Sequence, residues 1–319
     1  KARFNSDDCS WIKYLTRETI QNFNDARRKG ADGKKLPAEI KVRMADANSG
    51  LDCSGLESIF DSTFVKHIDA VEGLSHIEDY RTSRALILSD RGTTGLAGPT
   101  TRELGADPDH WVRFFHDSGL QQKRRSKALG GEGLGSFTYF LYSMYNCLFV
   151  ISKHANEGER MIGKVWNIKP HSVDGDFYHN YWYYRPTTAQ QDIPTTDDVH
   201  INGLRDIFGI EARAEGEFGC DWIIPFPEDE ITTDGYRKAC IEEFSYLIFR
   251  GDLILDIDGQ PLDGSNLLEV AGGISVDLSD AFLKMTKCAA EDIGTHMELP
   301  KDWFLSQTLN QSILDSSEW

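Results

Sequence analysis

The spacing of apolar residues changes from segment to segment along this chain, and the changes predict its elements. Over residues 8–29 the spacing is helical. At about 100° per residue, Trp11, Leu15, Thr19 and Ala26 share one buried arc, Asn22 falls inside it, and Glu18 and Asp25 lie at its edge. Ser6 or Asp7 stands where a helix N-cap belongs, and Gly30 with the ADGKK loop supplies a stop. EIKVRMAD at 39–46 alternates and predicts a strand. ALILSD at 85–90, CLFVISKH at 147–154 and CDWIIPFP at 220–227 are short apolar runs that predict buried strands. MIGKVWNI at 161–168 and DFYHNYWYYRP at 176–186 predict further sheet. The aromatic residues of the second, Tyr178, Tyr181, Trp182, Tyr183 and Tyr184, fit half-buried sheet better than base stacking.

SFTYFLYSMY at 136–145 predicts a helix, and so do residues 234–250, with Ile241, Phe244, Ile248 and Phe249 as the apolar face. LILDIDGQPL at 253–262 predicts a hairpin, because Asp258-Gly259 suits the positive φ angles of a tight turn. Helix is expected again after residue 275. Residues 96–130 are rich in Gly, Pro and charge and show little periodicity. So long a connection inside a compact domain usually carries function, often as a lid.

Composition narrows the classes. At 319 residues there is room for one large domain or two ordinary ones, and a hydrophobic fraction of 40% supports a core and argues against disorder. A net charge of −17 disfavours a general nucleic-acid surface, since phosphate neutralisation needs clustered cations. The local exception is QQKRRSK at 121–127, either a solvated surface run or a segment near a bound anion. No apolar run reaches the roughly 18 residues of a membrane span, and KARFNSDDCSW lacks the apolar stretch of a signal peptide. The six cysteines show no CxxC or zinc-like spacing, so they read as reduced thiols of a cytoplasmic protein.

Three short motifs carry the candidate chemistry. In RETIQNFNDA at 17–26, Glu18 and Asn22 are four residues apart and can face a common point. Beside an apolar seam such groups need partners. They cap loops or meet arginines, or they form a metal and water site. In the second case the Asn22 carbonyl oxygen suits Mg2+, which takes few protein oxygens, and Glu18 is placed to orient or deprotonate a water. In LSDRGTTGLAG at 88–98, Asp90 ends a strand and Gly92, Gly95 and Gly98 follow. Asp90 either caps a turn or accepts a hydrogen bond from an exocyclic amine, as adenine offers. In GGEGLGSF at 130–137, glycines precede a helix. They form either a flexible loop or an anion seat of backbone amides. The pattern is neither a P-loop nor a Rossmann fingerprint.

In this order the motifs resemble the GHKL ATPases, the superfamily of gyrase, heat-shock chaperones, histidine kinases and mismatch-repair ATPases. The chaperone-like branch is the most similar. RETIQNFNDA looks like the E-x-x-x-N-x-x-D-A box, SDRGTTG like the D-x-G box with an altered spacer, and GGEGLGSFTYFLYS like the glycine box and its helix. EFGCDWIIPFP at 217–227 looks like the G-T box. The likeness covers roughly residues 8–230.

The resemblance implies an α+β fold, a two-layer α/β sandwich of the Bergerat type with a mixed sheet and helices on one face. It implies ATP and Mg2+ as ligands, Glu18 as general base and Asn22 as metal ligand. Asp90 would take the adenine amine, Asp25 and Gly95 would line the base pocket, and Gly92 and Cys220 would also bind the nucleotide. Gly131, Gly133, Leu134 and Gly135 would meet phosphate through their backbone, and Lys127 or Arg124 of the lid the γ-phosphate. Cys220 stands where a threonine hydroxyl is expected, and Ser136 where relatives often carry lysine. Slow hydrolysis, or binding without turnover, is therefore an alternative.

Residues 1–230 would form the ATP domain and 231–319 a C-terminal extension or the start of a transducer-like region. Homodimerisation on ATP binding, and a partner or effector domain outside this chain, are implied as well. Microrchidia-like relatives add anti-phage defence as a context. A histidine kinase is disfavoured, since only about ten residues precede the first helix. An ATP-operated DNA clamp remains as an alternative, against the acidic charge.

Overall fold

The computed structural model describes residues 10–101, 103, 106–115, 135–166, 169–178, 181–184, 193–276 and 278–291. In chain order the elements are α1 (Trp11–Asp25), β1 (Ala38–Ala45), α2 (Cys53–Ile59), α3 (Ser62–Asp69), β2 (Ala85–Arg91), α4 (His110–Phe115) and α5 (Gly135–Leu141). Then come β3 (Cys147–His154), β4 (Gly158–Trp166), β5 (His171–Val173), β6 (Asp176–Tyr178), β7 (Tyr181–Tyr184) and α6 (Asp198–Phe208). The last are β8 (Gly219–Pro225), α7 (Thr233–Phe249), β9 (Leu253–Ile257), β10 (Gln260–Leu262), α8 (Leu267–Gly273) and α9 (Asp280–Ala290).

Among the described residues, eight strands form one mixed sheet in the order β10-β9-β1-β2-β8-β3-β4-β7. All neighbours are antiparallel except β1 and β9. The central strands β2, β8 and β3 are buried along nearly their whole length, as their continuous apolar runs require. Successive side chains of a strand point to opposite faces, and that alternation divides the core in two. Ile40, Val42, Leu86, Leu88, Leu148, Val150, Trp222 and Ile224 meet Leu15, Ile20 and Phe23 of α1, Tyr139 of α5 and Ile241 and Ile248 of α7. This is the α+β sandwich expected from the sequence. Ile87, Phe149, Ile151 and Ile223 point the other way, onto Leu56, Phe60, Phe64, Ile68, Leu204 and Phe208. The second face is thus covered too, by the shorter helices α2, α3 and α6.

Past residue 230 the chain continues in the same layers. Strand β9 pairs with β1 from Ala38↔Leu253 to Val42↔Ile257. Leu255, Ile257, Leu267 and Leu283 share a core with Leu15 and Val42. Ion pairs Lys13–Glu242 at 2.7 Å and Arg17–Glu243 at 2.8 Å tie α7 to α1. The expected division at 230/231 therefore falls inside one continuous core. The β9–β10 turn is as predicted, with φ of 51° at Asp258 and 74° at Gly259.

Candidate functional site

Helix α1 buries Leu15, Thr16, Thr19, Ile20 and Phe23. The Thr16 and Thr19 hydroxyls donate to the Ile12 and Leu15 carbonyls at 2.8 and 2.6 Å, so both fit an apolar face. The buried arc is therefore rotated from the one the pattern predicted. Trp11 and Ala26 are half-buried and Asn22 is exposed. Ile20 and Phe23 offer far more apolar area than Ala26 and claim the seam.

The exposed Asn22 amide still faces Glu18, with Nδ2 donating to Oε1 at 2.9 Å and approaching the Tyr139 hydroxyl at 3.4 Å. Burial raises the Glu18 pKa above its ordinary value. The Asn22 hydrogen bond opposes that rise and Asp25 adds to it. Asp25 itself is exposed.

The helix ends at Asp25, earlier than expected, because the next residues hydrogen-bond elsewhere. Thr94 N donates to Ala26 O at 3.0 Å and Arg28 N to Gly92 O at 2.9 Å. These bonds fasten the aspartate–glycine segment to the end of α1. Gly92 and Gly95 have φ of 76° and 72°. A Cβ on Gly92 would lie 2.7 Å from Pro37 O, and one on Gly95 2.5 Å from Lys153 O. Only glycine fits both the dihedral and the approach.

Asp90 stands next to the end of β2 and is 2% exposed. Its Oδ1 accepts from the Thr93 hydroxyl, and its Oδ2 from Cys220 N at 3.2 Å. Burial pushes its pKa up to about 6, against the charge of Arg213 and the hydrogen bonds from Thr93 and Cys220. Arg213 donates from Nη1 to the Asp90 carbonyl at 2.6 Å and holds Asp221 through Nη2 at 2.8 Å and Nε at 3.3 Å. On β3, Ser152 Oγ accepts from Leu96 N at 2.8 Å and lies 3.4 Å from Cys220 Sγ. Burial raises the Cys220 thiol pKa, so Cys220 is neutral at ordinary pH. Tyr139 stacks on Trp222 with ring centroids 4.8 Å apart.

Within the expected lid, α4 is docked at both ends. His110 N donates to Ala97 O and Ala97 N to His110 Nδ1, both at 3.1 Å. The buried Lys164 on β4 donates to Phe115 O at 2.6 Å, and burial lowers its pKa to about 8.

Three of the expected groups thus converge: the Glu18–Asn22 pair, the Asp90–Gly95 segment with Cys220, and helix α5, which Gly135 begins. Lys127, Arg124, Gly131, Gly133 and Leu134 lie outside the described residues, as does the basic run. Sequence reasoning missed Thr93, Tyr139, Ser152, Arg213 and Gly219. Thr93 sits inside the spacer of SDRGTTG and Gly219 inside EFGCDW, but Arg213 lies in an irregular loop with no pattern to mark it.

Among the described residues, no group of three or more His, Cys, Asp or Glu side chains converges as a metal cage. Mg2+ held mainly by water and phosphate needs no such cage. With Nδ2 turned to Glu18, the Asn22 Oδ1 is the amide atom left to face a cation. The donor set fits that ion. Cys53, Cys147, Cys220, Cys240 and Cys288 are free thiols. No helix among the described residues is long and apolar enough to cross a membrane. No family model matches the sequence, and no curated protein matches it.

Proposed function

We propose that this chain binds and hydrolyses Mg2+-ATP in a site of the GHKL type. One observation carries the reading. A buried, hydrogen-bonded carboxylate, Asp90, is fastened to the end of the helix that presents Glu18 and Asn22, and Asn22 in turn reaches Tyr139 of the helix that follows the glycine-rich segment. These contacts link the first two motifs to each other and to the helix that follows the third, which supports a shared site.

In this reading Asp90 accepts the exocyclic amine of adenine, with Gly95 and Cys220 beside it. Asn22 Oδ1 binds the metal ion, whose chemistry is to neutralise phosphate charge. Glu18 takes the proton of the attacking water, a role suited by its raised pKa. Gly131, Gly133, Leu134 and Gly135 offer backbone amides to phosphate, and Lys127 or Arg124 a cation. Nucleotide binding closes the lid and favours a homodimer. Titration calorimetry with a non-hydrolysable ATP analogue, with and without Mg2+, tests the reading beside Asn22→Ala. Magnesium-dependent binding lost in the variant is the expected result, and no binding by the wild-type chain overturns it.

A second reading, nucleotide sensing without turnover, draws on Cys220. Its backbone N–H meets Asp90, but its side chain is a thiol, set against Ser152, where a hydroxyl is expected. Steady phosphate release rules that reading out.

A further inference from the structure

Arg213 is the charged group nearest Asp90 that the reading above leaves without a task. It is 7% exposed, and it comes from the loop between α6 and β8. Nε, Nη1 and Nη2 of its guanidinium all donate hydrogen bonds. Nη1 donates to Asp90 O at 2.6 Å and Phe218 O at 3.3 Å, while Nη2 and Nε hold Asp221. The loop is pinned in turn. Lys153 Nζ of β3 donates to Arg213 O at 3.2 Å and Ala214 O at 3.0 Å, and Arg91 pairs with Glu217 at 2.8 Å. The Arg213–Asp221 pair is almost fully desolvated, with side chains 2% and 4% exposed.

A buried ion pair is weak evidence for stability, because desolvation offsets much of its attraction. Its position is more informative. Its cation lies against the carbonyl end of β2, and it does not pair with the Asp90 carboxylate. Asp90 thus receives positive charge at its back while its carboxylate oxygens keep lone pairs for Thr93, Cys220 N and a ligand.

We propose that Arg213 is the positioning residue of the base pocket, fixing the end of β2 and keeping Asp90 a hydrogen-bond acceptor, so that the site selects a base offering an exocyclic amine. The inference rests on the nucleotide reading for its ligand, but not for the effect on Asp90. Other groups face Asp90 as well. Asp221 and Cys220 do so from β8, Thr93 from its own loop and Tyr139 from α5. Asp221 opposes its ionisation, Arg213 favours it, and Arg213 has the larger effect.

The test is carbon NMR of the nucleotide-free chain with carboxyl-labelled aspartate, the Asp90 signal being assigned by its loss in Asp90→Asn. It is run on wild type, on Arg213→Met with Asp221→Leu, and on Asp221→Asn. The double variant avoids leaving a buried charge unpaired. Its Asp90 midpoint is expected to rise by about one pH unit or more. In Asp221→Asn it is expected to fall. The affinity for a non-hydrolysable ATP analogue should follow, declining in the double variant at neutral pH and returning at higher pH.

A folded double variant whose Asp90 titrates as in wild type overturns the proposal. So does an affinity loss equal at every pH, which marks a structural role. Should the double variant not fold, Asp221→Asn decides alone, and a midpoint that rises or stays overturns the proposal. Wild-type protein that binds no nucleotide, with the carboxyl shifts as stated, removes the nucleotide reading and leaves the assignment of Arg213 standing.

Discussion

Gly219 lies directly against Asp90. A Cβ on it would sit 2.4 Å from both the carbonyl oxygen and Oδ1 of Asp90, at a φ of 136°. The glycine at the start of β8 is what allows a carboxylate to lie flat on the neighbouring strand and accept from Cys220 N. Gly219→Ala is therefore expected to destabilise the fold by ~2–4 kcal/mol, through clash and strain together. Gly216 is the control. Its φ is 79°, but a Cβ there would meet no atom within 4 Å. Gly216→Ala should cost only about 1–2 kcal/mol. Denaturant unfolding of both variants checks the difference, and equal losses would refute the close-approach argument.

Asp90 gives the chain an unusual pH dependence. Its folded pKa is raised from 3.8 to about 6, so the folded state holds its proton more tightly than the unfolded state. Its contribution to stability is fully present below the unfolded value and is lost as pH rises through about 6. Two units at about 1.4 kcal/mol each give a loss of about 3 kcal/mol. Wild type should lose that much relative to Asp90→Asn between about pH 3 and pH 7. Urea unfolding across that range measures it, and a wild-type advantage that grows with pH contradicts the assignment. Ionisation of Asp90 is thus costly to the free chain, and a donor from a bound amine would offset part of the cost.

The continuous apolar runs of β2, β3 and β8 were legible because burial on both faces leaves no room for polar residues. CLFVISKH maps onto β3 residue for residue. The exposed face of α1 was misplaced because a helical arc drawn from Trp11 and Ala26 ignores how much more area Ile20 and Phe23 bury. Helices α2, α3 and α6 were missed. The first two are only 7 and 8 residues long, too short for a repeat to register, and they start at Asp52 and Asp61 caps that resemble ordinary turns. The parallel pairing of β9 with β1 joins residues more than two hundred apart, and no local pattern encodes it. Asp90 was legible from the glycines that follow it. Arg213 was not, since its role depends on a loop that has no periodicity.

Ser152 supplies a second hydroxyl at the proposed base pocket. Its Oγ accepts from Leu96 N and lies beside Cys220 Sγ, beneath Gly95. Ser152→Ala leaves the Leu96 N–H without its acceptor, at a cost of about 1–3 kcal/mol. Because Leu96 begins the segment leading to α4, amide hydrogen exchange at residues 95–98 should accelerate while exchange in β1 and β9 stays unchanged. Uniform acceleration would mean that the hydroxyl supports the whole fold and not this segment.

In the proposed function, Glu18 and Asn22 divide turnover from binding. Asn22 holds Glu18 through Nδ2, so Asn22→Ala removes the proposed metal donor and also a hydrogen bond that lowers the Glu18 pKa. Glu18→Gln keeps the size of the side chain and removes the base. Loss of magnesium-dependent nucleotide affinity is expected in Asn22→Ala. In Glu18→Gln affinity should be kept, with phosphate release slowed by about a hundredfold or more, the usual worth of a general base. Asn22→Asp retains an oxygen donor, so it should bind Mg2+-nucleotide better than Asn22→Ala. Its added carboxylate one turn from Glu18 should raise the Glu18 pKa further, moving the acid limb of the turnover–pH profile upward. Phosphate release measured against pH for the three variants decides the roles, and a Glu18→Gln protein that turns over at the wild-type rate removes Glu18 from the chemistry.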